Sequence, residues 1–135
     1  MITLDQYFGS YCNHPDAIPG KWALAEIMLE KVNRLLDRAE AEGVKAPINE
    51  KTNSQISGTE NGGFRPLDCS IGAPSSKHKQ GRAVDIYDPG GFLDNWITDG
   101  VLEDFGLWRE NPDDTLGWCH LQDQPPKSGR RTFKP

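Results

Sequence analysis

Two histidines and one aspartate occur at positions that could hold a metal ion. His78 and Asp85 lie seven residues apart in the segment SKHKQGRAVD, and His120 follows in GWCHLQ. The His-Asp spacing is weak evidence by itself, because a lone His more often makes a structural hydrogen bond. Gly81 and Ala83 strengthen it, since they let the backbone turn and leave room beside the carboxylate. Two imidazoles and a carboxylate, with a fourth position for water, compose a catalytic rather than a structural zinc site, and we predict Zn²⁺ here.

Two predicted strands would position these ligands. Residues 81–87 alternate in polarity, so that Asp85 faces away from the apolar residues of its own strand. Residues 117–122 alternate in the same way and put His120 on the face opposite Cys119. If the two strands are neighbours, the carboxylate and the second imidazole meet on one face of a sheet, and Cys119 is not a ligand.

The rest of the chain predicts helices and turns around these strands. A helix is predicted over residues 21–42, and one or two short helices over residues 91–105, broken near Gly100. Residues 51–65 are predicted to form a short strand and a turn. Residues 105–109 are predicted to form a strand that leads into the turn NPDDT. The apolar residues of the long helix recur at intervals of three and four: Leu24, Ile27, Met28, Val32, Leu35, Leu36 and Ala39.

Length and composition predict one small domain over residues 1–135. A chain of 135 residues fits one core, and its 36% hydrophobic residues with 14 Gly and 10 Pro indicate a small core and many loops. A bound metal would help to hold such a fold together. Within it we expect the metal-site core at about residues 49–122, after the long helix, and a C-terminal tail at residues 123–135.

Charge and hydropathy exclude several classes of partner. The net charge of −5 argues against nucleic-acid binding, which needs clustered Lys and Arg. No apolar stretch approaches the ~20 residues that span a bilayer, and residues 1–10 lack the pattern of a signal peptide. The basic residues in the range 127–134 are predicted to form a solvated tail. The alternative is that they form a patch that binds a surface. We expect a monomer that is made in the cytoplasm, with its three Cys reduced rather than paired.

The chain resembles a known family of zinc peptidases. The pattern SxHxxGxAxD from Ser76 to Asp85, followed by WxH from Trp118 to His120, resembles the D-Ala-D-Ala carboxypeptidases and L-alanyl-D-glutamate endopeptidases, relatives of the hedgehog signalling domain. The segment GFRP around Arg65 is similar to that family's Ser-Gly-Tyr-Arg element. The resemblance covers about residues 49–122, and in length the chain is similar to small phage endolysins of the family.

The resemblance implies a fold, a cofactor and a substrate. We expect an α+β fold, a small antiparallel sheet flanked by helices, with a single zinc site in a central groove formed by His78, Asp85 and His120. The metal would polarise the scissile carbonyl and lower the pKa of its water to about 7. The substrate would be a peptidoglycan stem peptide, reached in the cell wall after release through a holin. The resemblance does not fix which peptide bond is cut, or whether the action is endo- or carboxypeptidase.

The resemblance also implies roles in substrate binding. Arg65 would pair with a substrate carboxylate or steady the oxyanion, a task that suits a forked and permanently charged donor. A surface salt bridge is the alternative for Arg65. Ser76 would place its hydroxyl beside the substrate or against a metal ligand that it supports, with a simple turn residue as the alternative. Trp118 would line the groove or pack in the core.

The general base departs from the family pattern. Many members carry Glu or Asp three residues before the last His, but that position is Gly117 here. A zinc hydrolase still needs a group that takes the proton from water and passes it to the leaving amine. Glu110 ends the preceding strand, and a hairpin could bring it beside His120. Asp113 and Asp114 are alternatives, although residues of this type commonly form the turn itself.

Two remaining polar residues have structural interpretations. His14 is predicted to be a surface residue, and Asp88 is predicted to form a turn or to support the metal ligands.

Two function classes other than an enzyme remain open. Because position 117 is Gly and supplies no carboxylate, a zinc-stabilised binding domain for the cell wall or a protein is an alternative to an enzyme. A virion structural component with a degenerate peptidase fold is the third class.

Overall fold

A computed structural model describes the whole chain, residues 1–135. Its helices are α1 (Leu4–Phe8), α2 (Pro19–Ala41), α3 (Phe92–Trp96) and α4 (Asp99–Phe105), and its strands are β1 (Ala83–Tyr87), β2 (Trp108–Glu110), β3 (Trp118–Gln122) and β4 (Thr132–Phe133). Short 3₁₀ turns lie at Gly9–Tyr11, Lys77–Gln80 and Pro112–Asp114. None of the helices has the length and apolar character needed to cross a membrane.

The four strands form one sheet in the order β1-β3-β2-β4. The pairs β1-β3 and β2-β3 are antiparallel, whereas β2 and β4 are parallel. The predicted α+β class is therefore confirmed, but the predicted purely antiparallel sheet is wrong because the last strand runs parallel to its neighbour.

Strand β4 comes from the segment that the sequence predicts as a solvated tail. Its Phe133 side chain is buried, and backbone bonds join Arg109 N–H to the Arg131 carbonyl and Asn111 N–H to the Phe133 carbonyl. The Arg131 guanidinium also lies 4.1 Å from the centre of the Trp108 ring. Apolar burial, ladder hydrogen bonds and a cation–π contact thus fix this segment to the sheet edge.

Helix α2 packs across one face of the sheet. It begins at Pro19, two residues before the predicted start, because a proline is tolerated in the first turn, where no backbone donor is needed. The apolar stripe is mostly confirmed, although Ile27 is exposed. The buried residues of the helix are Ala25, Met28, Leu29, Val32, Leu35, Leu36 and Ala39. Val84, Ile86, Cys119 and Leu121 of β1 and β3 join the same core, which leaves the other sheet face for polar side chains.

The strand predicted in residues 51–65 is absent, whereas the predicted helix break is present. The segment has only the isolated bridges Ser54 with Asn49 and Ile56 with Ile86 and a few single backbone bonds to β1, and the side chains of Asn49 and Thr52 bind the Ile56 carbonyl in place of a ladder partner. The predicted break near Gly100 is confirmed: α3 ends at Trp96, and α4 begins at Asp99, where the Thr98 hydroxyl accepts from Val101 N–H.

Candidate metal centre

Strand pairing brings Asp85 and His120 together. Asp85 of β1 lies directly opposite His120 of β3, and both side chains face away from the core that α2 covers. His78 reaches the same place from the 3₁₀ turn just before β1. Gly81 ends that turn at φ 74°, and a side chain there would also meet the Lys21 carbonyl of α2. The predicted need for Gly81 therefore has two causes, a left-handed backbone and a close helix contact.

The three side chains form one compact buried cluster. The Oδ1 atom of Asp85 lies 3.2 Å from His78 Nε2 and 2.9 Å from His120 Nδ1. The possible ligand atoms of the three residues all lie within 4.8 Å of one another. His78, Asp85 and His120 are 3%, 8% and 5% exposed, so the cluster is shielded from bulk water. The predicted ligands are thus the residues that the structure brings together.

The outer nitrogen of His78 shows that the cluster suits a cation. Its Nδ1 lies 2.8 Å from the Gly63 carbonyl, which can only accept, so Nδ1 carries the proton. A neutral His78 then presents an Nε2 lone pair to the Asp85 carboxylate at 3.2 Å. Two acceptors at this distance repel each other unless a proton or a metal ion lies between them. Metal-bound histidines are oriented by the same type of outer bond, so the residues present fit Zn²⁺.

The electrostatics of the cluster follow from its burial and its ion pairs. Burial tends to raise the pKa of the Asp85 carboxyl, but His78 and His120 lower this pKa overall, below its usual range. Burial tends to lower the pKa of His120, but Asp85 and Glu110 raise it overall. A positive charge is therefore favoured between these groups, and metal binding must compete with protons for them.

Arg65 completes the charge balance of Asp85. Its Nη2 donates to Asp85 Oδ2 at 3.2 Å, and its Nε donates to the Asn61 carbonyl at 2.7 Å. Nη1 makes no hydrogen bond within the chain and faces Gly72, where a side chain would come within 2.8 Å of it. Arg65 is only 9% exposed, so its ion pair with Asp85 is buried. The alternative prediction of a surface salt bridge at Arg65 is therefore wrong. One guanidinium nitrogen thus remains available to a ligand.

Glu110 is the carboxylate that the hairpin brings to the centre. The pairing of Trp108 with Gln122 and Arg109 with Leu121, continued by one residue, places Glu110 opposite His120. Its Oε1 lies 3.9 Å from His120 Nδ1.

The other two candidate bases lie away from the centre. Asp113 and Asp114 are exposed in the 3₁₀ turn, where the Asn111 side chain accepts from Asp113 N–H. Neither residue lines the cleft above the cluster.

One cleft of about 460 Å³ contains all of the predicted site residues. They are Arg65, Ser76, His78, Asp85, Glu110, Trp118 and His120. Trp118 is half-buried and lines this cleft, so it is not a core residue. Ser76 lies on the cleft wall, and its hydroxyl and the Arg65 guanidinium both lie next to Gly72.

Sequence reasoning missed part of the cleft wall. Pro126, Phe133 and Pro135 line it, and the Phe133 ring meets the His120 ring edge-on at 6.3 Å. No periodicity marks residues of this segment. Gln122 also lines the cleft, and its two-residue spacing from His120 on a strand is a signal that could have identified it.

Three other polar groups are not part of the centre. His14 is half-buried near Asp16 and Asp68, away from the cleft, and its Nδ1 accepts from Asp16 N–H at 3.0 Å. Asp88 accepts from Leu93 N–H and Asp94 N–H in the first turn of α3, so its carboxylate is bound to this helix and not to a residue of the cluster. Burial raises the pKa of the Cys119 thiol on the opposite sheet face, and none of the cysteines is in a disulfide.

Comparisons with family models, curated proteins and solved structures give no match to this chain. Function must therefore be inferred from the chemistry of the cleft. That cleft combines two imidazoles and a carboxylate that fit a metal, a second carboxylate beside them, and a buried arginine with one unpaired nitrogen.

Proposed function

We propose that this chain is a zinc-dependent peptidase that hydrolyses an amide bond in the stem peptides of peptidoglycan. The observation that carries the proposal is the convergence of His78, Asp85 and His120, with Glu110 beside them, in one open cleft. Three protein ligands with a remaining position for water are typical of catalytic rather than structural zinc. The choice of stem peptides as substrate is supported by the motif resemblance from Ser76 to Asp85 and at Trp118 and His120.

The zinc ion would be held by His78 Nε2, an Asp85 oxygen and His120. When bound, it would polarise the substrate carbonyl and make a water molecule more acidic. The Gly63 carbonyl and Arg65 hold two of these ligands in place, the first through His78 Nδ1 and the second through Asp85 Oδ2. Because these contacts are buried, the ligands are fixed before any substrate arrives.

Proton transfer in this proposal belongs to Glu110. Its carboxylate lines the cleft and lies 3.9 Å from the Nδ1 atom of His120, close to where water would be activated. Glu110 would accept a proton from the attacking water and then donate it to the nitrogen of the leaving amine. Glu110 would thereby take the role of the Glu or Asp that many family members carry at the position of Gly117.

Substrate orientation belongs to the wall formed by Arg65 and Ser76. The unpaired Nη1 of Arg65 and the hydroxyl of Ser76 lie on the same side of the cleft, next to Gly72. A permanently charged donor beside a hydroxyl suits a carboxylate of the stem peptide.

Replacing Arg65 by Lys is expected to lower kcat/KM by about ten- to hundredfold, because the single nitrogen of an ammonium cannot reach the three positions that the guanidinium meets with three separate nitrogens. Muropeptide turnover and zinc content measure this, and zinc content should stay near one ion per chain. The matched control is Arg82→Lys, which alters an ion pair with Asp123 outside the cleft and should leave turnover unchanged. Wild-type turnover by Arg65→Lys would remove Arg65 from substrate binding.

A zinc-stabilised binding domain is the second candidate, and Gly117 favours it. A relative that loses its catalytic carboxylate can keep a folded metal site and a substrate cleft. The two candidates differ in one result, namely whether bound stem peptides are cut.

Digestion of purified muropeptides followed by mass spectrometry tests the proposal. We expect one amide bond to be cut, the products to disappear when the zinc is removed with a chelator, and activity to return with added Zn²⁺. Muropeptides that bind to zinc-loaded protein without being cut would favour the binding domain. Cleavage that persists in fully metal-free protein would contradict the zinc mechanism.

A further inference from the structure

Gln122 makes two hydrogen bonds that together orient its amide group. Its Oε1 lies 2.8 Å from His120 Nε2, and its Nε2 lies 2.7 Å from the carbonyl oxygen of Gln124. The Gln124 carbonyl can only accept, so the Gln122 NH₂ group must face it and Oε1 must face the imidazole. Gln122 is only 4% exposed, and its bond to His120 is buried, so little solvent competes for it.

The orientation of Gln122 decides which nitrogen of His120 faces the cluster. An amide oxygen accepts, so His120 Nε2 must donate and carries the ring proton. In the neutral imidazole the lone pair is then on Nδ1, which lies 2.9 Å from Asp85 Oδ1. The arrangement is the reverse of that at His78, where Nδ1 donates and Nε2 faces Asp85.

We infer that Gln122 is a positioning residue that holds His120 with its Nε2–H outward, so that His120 binds the metal through Nδ1. This inference rests on the metal site of the proposed function. The two ligand histidines differ in how they are held. A backbone carbonyl, that of Gly63, orients His78, whereas a side chain orients His120, so only the second contact can be removed by substitution.

Two substitutions distinguish the bond from His120 to Gln122 Oε1 from the bond that Gln122 Nε2 makes to the Gln124 carbonyl. Both Gln122→Met and Gln122→Glu lose the bond to the Gln124 carbonyl, but only Glu keeps an oxygen for His120 Nε2–H. We expect Gln122→Met to weaken zinc binding by about 10- to 100-fold, the usual effect of losing such a partner, and Gln122→Glu to bind zinc as tightly as wild type. Gln124→Met, whose backbone carbonyl is kept, is the control and should bind zinc like wild type.

Zinc affinity by competition with a chromophoric chelator and ¹⁵N NMR of the His120 ring are the two measurements. The ring Nε2–H should exchange slowly with water in wild type and Gln122→Glu and rapidly in Gln122→Met, in metal-free as well as zinc-loaded protein. In the zinc-loaded wild type the ¹⁵N shifts should place the metal on Nδ1.

The inference is overturned if the metal is on Nε2, if Gln122→Met matches wild type, or if Gln122→Glu is as weak as Gln122→Met. Failure of the wild type to bind zinc would instead contradict the proposed function. In that case exchange of the ring proton in the metal-free protein still decides the role of Gln122.

Discussion

Alanine at His78, Asp85 or His120 is expected to reduce zinc content from one ion per chain to a small fraction. Each substitution removes one of the three proposed ligands, and two ligands do not retain the metal against a chelating buffer. Zinc at one hundred times its dissociation constant stabilises a folded chain by about 2.7 kcal/mol, so the wild type should melt about 10 °C higher with zinc than without it. The three variants should lose this difference.

The three variants should differ in melting temperature when they are compared without metal. Asp85→Ala leaves Arg65 as a buried guanidinium without its carboxylate, a loss of about 3–5 kcal/mol. Its metal-free melting temperature should therefore fall below that of metal-free wild type. The His78→Ala and His120→Ala variants each lose a buried imidazole and its hydrogen bond but keep the Arg65–Asp85 pair, so their metal-free melting temperatures should fall less than that of Asp85→Ala.

Elemental analysis and thermal melts with and without chelator measure both effects. The matched control is His14→Ala, since His14 lies outside the cleft, in a partly exposed group with Asp16 and Asp68, and its loss should leave zinc content and the zinc-dependent rise in melting temperature unchanged. Full zinc occupancy in His120→Ala would contradict the ligand assignment.

Replacing Glu110 by Gln is expected to lower kcat by about 10²–10⁴ while zinc content and folding stay intact. Glutamine keeps the shape and hydrogen-bonding groups of the side chain but cannot accept the proton from water. The side chain is not a zinc ligand in this assignment, because the three ligand atoms are supplied by other residues. Turnover of muropeptides by chromatography, on protein of confirmed zinc content, gives the rate.

The controls for Glu110 lie a few residues further along the same hairpin. Asp113→Asn and Asp114→Asn make the same chemical change at exposed positions outside the cleft and should keep wild-type turnover. An active Glu110→Gln together with an inactive Asp113→Asn or Asp114→Asn would place the base in the turn. An inactive wild type would favour the binding domain instead.

Local patterns in the sequence predict much of the fold and of the site. The intervals of three and four predict α2, and the two-residue period of a strand predicts that Asp85 faces away from the core and that His120 and Cys119 lie on opposite faces. These patterns are short-range, because each depends only on the backbone geometry of one element. The ligand types and Gly81 predict the metal cluster for the same reason.

The register of the strands and the position of β4 depend on pairing between distant segments, which local sequence patterns do not predict. The register that sets Asp85 opposite His120 and carries Glu110 to the same place depends on how β1, β2 and β3 meet. The parallel addition of β4 depends on burying Phe133 and on ladder bonds to a strand more than twenty residues earlier in the chain.

The sequence by itself therefore determined which residue types could bind a metal and which faces they occupy. Only the tertiary structure decided that Arg65 is buried against Asp85, that Gln122 orients His120, and that the C-terminal segment forms a wall of the cleft. The physical reason is that these contacts join segments far apart in the chain. Their formation depends on the free energy of packing the whole domain and not on the preference of any single segment.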